Sequence, residues 1–532
     1  MKIKLPFLII LFFTLVSFQL HAQWQRQWTW GGALDPLQST FKVTHYALDL
    51  KIDLENGVLD GSATLSLQKL AEVEILRLQL IDTYEVIKVV ADQREYAFKH
   101  DGEYLDIEME GAFPDKITIY YKGKTPVASN PPWVGGFTWE KDDNGNHWVG
   151  LSAQNEGGKL FMPCLDHPSN KPENGAEIKI TVPKPYTVAS NGKLLDTSAS
   201  ETDTTFHWST DYPIMNYNIN FTIGKFFLHE QEFFSSSGEE VSLQVYVLGE
   251  NQDKAALLAS VLENSIKTHE NYFGSYPFPE DKVAVVETPY LGMEHQTING
   301  YGNNFQFVRM GEVWYDWLLH HELGHEWFGN KLSVGDWADF WIHEGITTYG
   351  DWLFYDHHGG IEAYHEKVAD TKRNILNEKP VAGKIATPAD KAYHIDVYYK
   401  GAYIMHSLRH LLGEEVFFRM LKELASHPPF IYENQANTEE VIRFIQGYTE
   451  YPLQGFFQWY LYETELPEVR IKKMGKRGYE VSLPNIDFSL PVEIVTERGN
   501  EKVDLSAKPK LIESSSEPKV DPQDWYLFSK RP

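Results

Sequence analysis

The stretch HHELGHEWFGN, residues His320–Asn330, decides how this chain is read, together with WIHEG at Trp341–Gly345. Inside the first lies His321-Glu322-Leu323-Gly324-His325, an HExxH pattern. Residues four apart on an α-helix are offset by about 40°, so His321 and His325 project from one face. Two imidazoles so placed can share a zinc ion at roughly 2.0–2.1 Å each. Glu322 sits at the rim of that face, where a carboxylate reaches a water on the metal without ligating. A third ligand must come from elsewhere, and a fourth position must stay open for water and substrate. Glu344 is the candidate, because the 18 residues between it and His325 leave room for a turn and a second helix that brings it back. His320 points about 100° away and is read as a neighbour of the site, not a ligand.

The surroundings agree. GEVWYDWLLHHELGHEWF, residues 311–328, is apolar at helical spacing through Val313, Trp314, Trp317 and Leu318, and Gly329 and Asn330 supply a stop. The spacing predicts one helix through this stretch. The segment from Asp336 to Asp339 offers N-caps for the helix carrying Glu344. Thr347, three residues on, shares a face with Glu344 and is placed to orient a ligand.

The chain has 532 residues, enough for two to four domains, and its 15 Trp, 29 Tyr and 30 Phe imply large cores. A net charge of −27 argues against nucleic acid or an anionic membrane as partner. The N-terminus reads MKIKLPFLIILFFTLVSFQLHAQ. Lys2 and Lys4 form a positive region, Leu5 to Leu20 an apolar one, and Ala22 ends a cleavage site. We expect residues 1–22 to be a signal peptide, the mature protein to be periplasmic or secreted, and no stable membrane insertion after cleavage. The one cysteine, Cys164, excludes an internal disulfide, so stability must come from core burial and metal. It is read as a small buried hydrophobe.

Along the chain, Tyr46, Leu48, Leu50, Ile52 and Leu54 alternate with mostly polar residues as in a half-buried strand. Asn56-Gly57 turns the chain, and Gly61–Leu67 returns. Short strands with turn signals continue to about Lys225. Asn144-Gly145 marks a hairpin; the acidic residues around it lack calcium-loop spacing. Helices begin at Asp253, followed by a strand at Lys282–Glu287, the two helices of the metal motif, and helices over Ile361–Leu376 and Val397–Leu412. Asn437 with Glu440 caps another helix. From Val469 the pattern reverts to strands. Residues 23–227 read as an all-β domain.

HELGH with Glu344, GMEH at Gly292–His295 and YYKG at Tyr398–Gly401 resemble the aminopeptidase N family of zinc aminopeptidases, the gluzincins that include leukotriene hydrolase. MPCLDHP, Met162–Pro168, looks like that family's P-C-x-D segment. The likeness runs over roughly residues 40–530. It implies an N-terminal β-sandwich domain over 23–227, a thermolysin-like zinc catalytic domain over 228–466 and a small C-terminal β domain over 467–532. It also implies one zinc ion on His321, His325 and Glu344, and peptides with a free N-terminus as substrates. Glu322 is then the general base, and Tyr398, first in Y-x-K-G, the donor to the oxyanion. Without the motif, a tyrosine pair at 398–399 reads as core packing. Glu294, within Gly292-Met293-Glu294, would bind the substrate's α-ammonium, and Gln154 and Glu156 would assist it; the alternative for 154–156 is a solvated polar loop. Two departures stand out. Leu291 replaces the first glycine of the exopeptidase motif, and His295 replaces asparagine, which introduces a group able to titrate near neutrality. Longer members add a helical domain over the cleft. The sequence stops before one, so an open cleft that admits longer peptides is expected.

Three rival readings follow from the same residues. A thermolysin-like endopeptidase shares the zinc site but has no use for Glu294. A lipid epoxide hydrolase exists within the family. A catalytically inactive peptide-binding protein would have lost a ligand or the base, and all are present. No GxSxG elbow, phosphate loop or dinucleotide fingerprint occurs. Neither oligomeric state nor the preferred N-terminal residue is read from the sequence.

Overall fold

The computed structural model describes residues 27–475 and 478–529. The expected signal peptide lies outside the described residues. The N-terminal part is built on an eight-stranded sheet whose centre is the pair Phe41–Asp53 and Val58–Lys69. Their register is antiparallel, with Leu50 opposite Gly61. The expected Asn56-Gly57 turn is there, and Gly57 takes φ 63°. Gly61 has a different reason: a Cβ there would lie 2.1 Å from the Asp49 carbonyl oxygen of the neighbouring strand. A four-stranded sheet and a three-stranded sheet complete this β-rich part. The Asn144-Gly145 hairpin joins Gly136–Lys141 to His147–Ser152. Asp142 Oδ1 accepts from the backbone N–H groups of Asn144 and Asn146, so this carboxylate shapes the turn.

The chain then enters a mixed five-stranded sheet. In spatial order its strands are Phe226–Phe234, Glu240–Leu248, Val283–Glu287, Asn299–Tyr301 and, at the edge, Gly292–Met293. Helices Ala255–Phe273, Trp317–Gly324, Trp341–Lys372 and Ile395–Leu412 pack around it. The helix carrying Glu344 and the helix expected from Ile361 are both present, joined directly through a break at Gly360 with φ 78°, and the second ends at Lys372. The expected capping box at Asn437 and Glu440 opens Thr438–Gln446. Two three-stranded sheets close the chain after residue 469. Among the described residues, no helix is long and apolar enough to cross a membrane.

One expectation fails at the stretch that carries the metal motif. Val313–Tyr315 is a strand paired with Val308–Met310, and the helix starts only at Trp317. Asp316 is the reason. It is extended, and its buried carboxylate accepts from Leu318 N and Leu319 N, which stops the helix from running back. Tyr301 and Asn303 also donate to that carboxylate. The start of the motif helix is thereby tied to the sheet.

Candidate active site

Helix Trp317–Gly324 presents His321 and Glu322, and His325 follows at its C-cap, still in helical conformation. Asp336 caps a single 3-10 turn, Trp337–Asp339, that leads into the helix carrying Glu344. Asp339 instead accepts from Thr438 N, capping a different helix. Glycines let the elements close up. A Cβ on Gly324 would meet Thr347 Cγ2 at 2.9 Å, and one on Gly345 would meet Gly401 Cα at 2.8 Å. The last pair is the crossing of the Glu344 helix with Ile395–Leu412, the helix that carries Tyr398. The glycine of YYKG is thus a packing residue that brings Tyr398 to the site.

His321 Nε2, His325 Nε2 and Glu344 Oε2 form a nearly equilateral triangle. The two imidazole nitrogens are 3.3 Å apart, and the carboxylate oxygen lies 3.4 and 3.3 Å from them. Tetrahedral bonds of roughly 2.0–2.1 Å would set ligand atoms about 3.3–3.4 Å apart, so the triangle fits zinc. The tautomers agree. His321 Nδ1 is 3.0 Å from Asp351 Oδ2, and His325 Nδ1 is 3.0 Å from the Phe328 carbonyl oxygen. Each Nδ1 therefore carries the proton, and each Nε2 turns a lone pair inward. Glu344 Oε2 is buried with no hydrogen-bond donor. Three acceptors facing one another, two of them buried, call for a cation. Among the described residues this is the one group of His, Cys, Asp and Glu side chains so arranged.

Glu322 stands beside the triangle against the edge strand, where a Cβ on Gly292 would lie 2.7 Å from Glu322 Oε1. Gly292 is needed for that approach, and Met293 packs into the core beside it. Burial pushes the Glu322 carboxyl up to about 8, opposed by His321 and His325. A cation in the triangle would pull it down again. The Tyr398 ring lies over that of His321, with centroids 6.1 Å apart, and its hydroxyl donates to Tyr393 at 3.0 Å. Burial, with Glu344 nearby, keeps that hydroxyl protonated and able to donate.

Glu294 is buried, and burial raises its carboxyl, with His325 and Glu344 within electrostatic reach. Gln154 Nε2 donates to Glu294 Oε1, and so does Tyr217 Oη at 3.0 Å. Both donors meet the same oxygen, which leaves Oε2 to meet a ligand. Glu156 is buried next door, but its Oε2 accepts from Gly135 N at 3.0 Å. The loop 154–156 is therefore no solvated loop. It brings Gln154 to Glu294, while Glu156 holds the Gly135 backbone.

Sequence reading missed several residues. Asp351 lies seven positions after Glu344, two turns along the same helix face, and that spacing was a usable signal. Tyr217 comes from the β-rich part, and nothing local marks it. Asn330 was read only as a helix stop. Its Nδ2 donates to the Glu294 carbonyl at 3.0 Å and to Glu326 Oε2 at 3.1 Å, which ties the segment following the Gly292–Met293 strand to the end of the metal helix. Thr347 bears out its reading, with Oγ1 donating to the Phe328 carbonyl that His325 also meets. His320 turns away to Gly350 O and stacks on His269 at 4.0 Å. His295 needs a correction: burial lowers it to about 3, so it stays neutral at working pH instead of titrating there. Cys164 is wholly buried, as expected.

The β-rich part, the mixed sheet with its helices and the His-His-Glu triangle define a metal-binding HExxH protein of two principal lobes. Family models make this specific. The peptidase M1 N-terminal domain matches residues 42–217, and the peptidase family M1 domain matches residues 259–460. Together they span more than two thirds of the chain, which belongs to peptidase family M1. Among curated relatives, it is 23% identical over 478 residues to a leucyl aminopeptidase of Saccharolobus solfataricus, covering 84% of this chain and 56% of that protein. It is 22% identical to aminopeptidase N of Haemophilus influenzae, covering 82% and 51%. The chain thus spans about half the length of these relatives. Among solved structures, an M1 zinc metallopeptidase from Deinococcus radiodurans aligns with TM-score 0.68 at 19% identity, covering 80% of this chain and 95% of that one. Yeast LTA4 hydrolase aligns with TM-score 0.68 at 18% identity, covering 87% and 73%.

Proposed function

We propose that this chain is a zinc-dependent aminopeptidase that removes N-terminal residues from peptides. The observation that carries the proposal is a buried carboxylate, Glu294, held by Gln154 and Tyr217 within electrostatic reach of a three-acceptor metal triangle. An endopeptidase has no use for that carboxylate. The relatives support the reading, since those named above include a leucyl aminopeptidase and an aminopeptidase N. An M1 zinc metallopeptidase from Deinococcus radiodurans is described with a Tyr-Ser-Ala substrate.

In this reading His321, His325 and Glu344 hold one zinc ion, which supplies water activation and polarisation of the scissile carbonyl. Glu294 Oε2 receives the substrate's α-ammonium, and the Gln154 carbonyl accepts a further N–H. Anchoring the amine there limits cleavage to the first peptide bond. Glu322 takes the proton of the attacking water and passes it to the leaving amine. Tyr398 Oη–H turns from Tyr393 to donate to the oxyanion as the carbonyl becomes tetrahedral. The edge strand Gly292–Met293 has an unpaired side on which a peptide backbone can align.

The test is hydrolysis of leucyl-, alanyl- and arginyl-anilides beside their N-acetylated forms, with and without a zinc chelator. Chelator-sensitive cleavage of the free-amine forms alone is expected. Cleavage of the blocked forms would turn the reading to an endopeptidase. Export is proposed from the Lys2/Lys4 and Leu5–Leu20 pattern, and a mature protein beginning at Gln23 by N-terminal sequencing is its expected mark.

A further inference from the structure

Residues 28–34, ahead of the first strand, contact both lobes. From the β-rich lobe, Lys159 Nζ donates to Thr29 O at 2.7 Å and His167 Nε2 to Gly32 O at 3.1 Å. On the helical lobe, Ala389 N donates to Trp30 O at 2.8 Å, and Thr29 Oγ1 donates to Asp390 Oδ1 at 3.1 Å. Gly31 is required in this path. It has φ 78°, and a Cβ there would lie 2.7 Å from Trp337 Cδ1. The path drives the Trp30 indole into the core, where it is 1% exposed. Its ring centroid is 5.3 Å from that of Tyr217 and 5.2 Å from that of Trp337. Trp337 also touches the Tyr217 ring, at 6.2 Å. The hydroxyl of this gripped tyrosine is the one that donates to Glu294.

A tyrosine hydroxyl is aimed by two side-chain torsions, and in a close-packed core these are set by what presses on the ring. We infer that the 28–34 segment is a strap that positions the amine anchor, with Trp30 acting as a positioning residue for Glu294 through Tyr217. The inference rests on the aminopeptidase reading above and extends it to a segment well upstream of every motif. Without the indole, the Tyr217 ring gains room, its hydroxyl leaves Glu294 Oε1, and the carboxylate keeps one side-chain donor of two. Its aim at the substrate's ammonium loosens, and the triangle and Glu322 are untouched. The loss therefore falls on ground-state binding of free-amine substrates.

The experiment is a double-mutant cycle in the full chain: Trp30→Ala, Tyr217→Phe and the pair, with kcat and KM on leucyl-anilide and bound zinc measured for each. Trp30→Ala is expected to raise KM about tenfold, the scale of a hydrogen bond to a charged group, with kcat within about twofold and zinc content unchanged. In the Tyr217→Phe background the same substitution adds less than about twofold, because the hydroxyl it acts through is gone. Trp30→Phe should restore most of the KM. Effects that multiply in the pair, or a fall in kcat or zinc content at constant KM, would overturn the strap as a positioning element and leave only packing. Should Trp30→Ala not fold, Trp30→Leu carries the same cycle. A wild type without selectivity for free amines overturns the aminopeptidase reading and the strap with it. A selective wild type with multiplicative effects overturns the strap alone.

Discussion

His321, His325 and Glu344 come from neighbouring stretches of one lobe, whereas Glu294 takes its donors from Gln154 and Tyr217, 140 and 77 positions upstream in the other lobe. The triangle is therefore set by helix geometry and one helix crossing. The amine anchor exists only when the two lobes are docked. The orienting contacts divide in the same way. Asp351, Phe328 and Thr347 hold the metal side from its own lobe, and Trp30 and Trp337 flank Tyr217 at the junction. On the proposed function, metal binding and amine recognition should therefore be separable by mutation.

The largest effect should come where the two regions meet at the scissile bond. Glu322→Gln is expected to lower kcat by about 10²–10⁴ while zinc content stays at the wild-type value. Loss of zinc in that variant would move Glu322 into the ligand set and erase the division drawn here. Next in size is Glu294→Gln, expected to reduce kcat/KM on free-amine anilides by about 100-fold, again without loss of metal. A variant that keeps wild-type kcat/KM would leave the anchor with no function. On the metal side, Asp351→Asn should weaken zinc affinity by about 10–100-fold in a chelator competition, with KM of the reloaded enzyme unchanged. A KM change of the same size would show that the two sites are coupled after all.

The smallest effect concerns stability. Burial lowers His295 to about 3, against an ordinary value of 6.5. Above pH 6.5 both folded and unfolded chains hold it neutral, and it adds no pH dependence. As pH falls from 6.5 toward 3, the unfolded chain takes up a proton that the folded one refuses. Stability then drops by up to about 1.4 kcal/mol per pH unit. His295→Asn removes this term. Its melting temperature should gain on that of the parent between pH 6 and 4.5, with no such trend between 7 and 8. Equal slopes for the two proteins would mean that His295 is protonated in the folded state.

The fold class was legible because alternation and helical period are local. Tyr46 to Leu54 alternates and all but Leu54 lies in the strand Phe41–Asp53, and Asn437 with Glu440 forms the capping box it spells. The metal helix was misjudged at its start for a related reason. Val313 and Trp314 share its apolar period, but Asp316 is a stronger N-cap because Tyr301 and Asn303 hold its carboxylate. Those donors come from the sheet and are invisible to a sliding window. The separate helix expected from Ile361 is there, because Gly360 at φ 78° ends the helix that carries Glu344.

By itself, the sequence determined the residues of the candidate metal site: two imidazoles four apart, a carboxylate beyond a fixed gap, and a second carboxylate between them. Helical spacing turns such residue choices directly into geometry. Glu294 and Tyr398 were picked out by the resemblance of GMEH and YYKG to a family's motifs. Only the tertiary structure decided that Gln154 and Tyr217 meet on one carboxylate oxygen, that Glu156 turns to the Gly135 backbone, that Asp351 orients His321, and that His295 is too deeply buried to titrate. Each of these depends on which surfaces come together over long separations. That is settled by packing between lobes, where a side chain's partner and its solvation are properties of the assembled core and not of its neighbours in the chain.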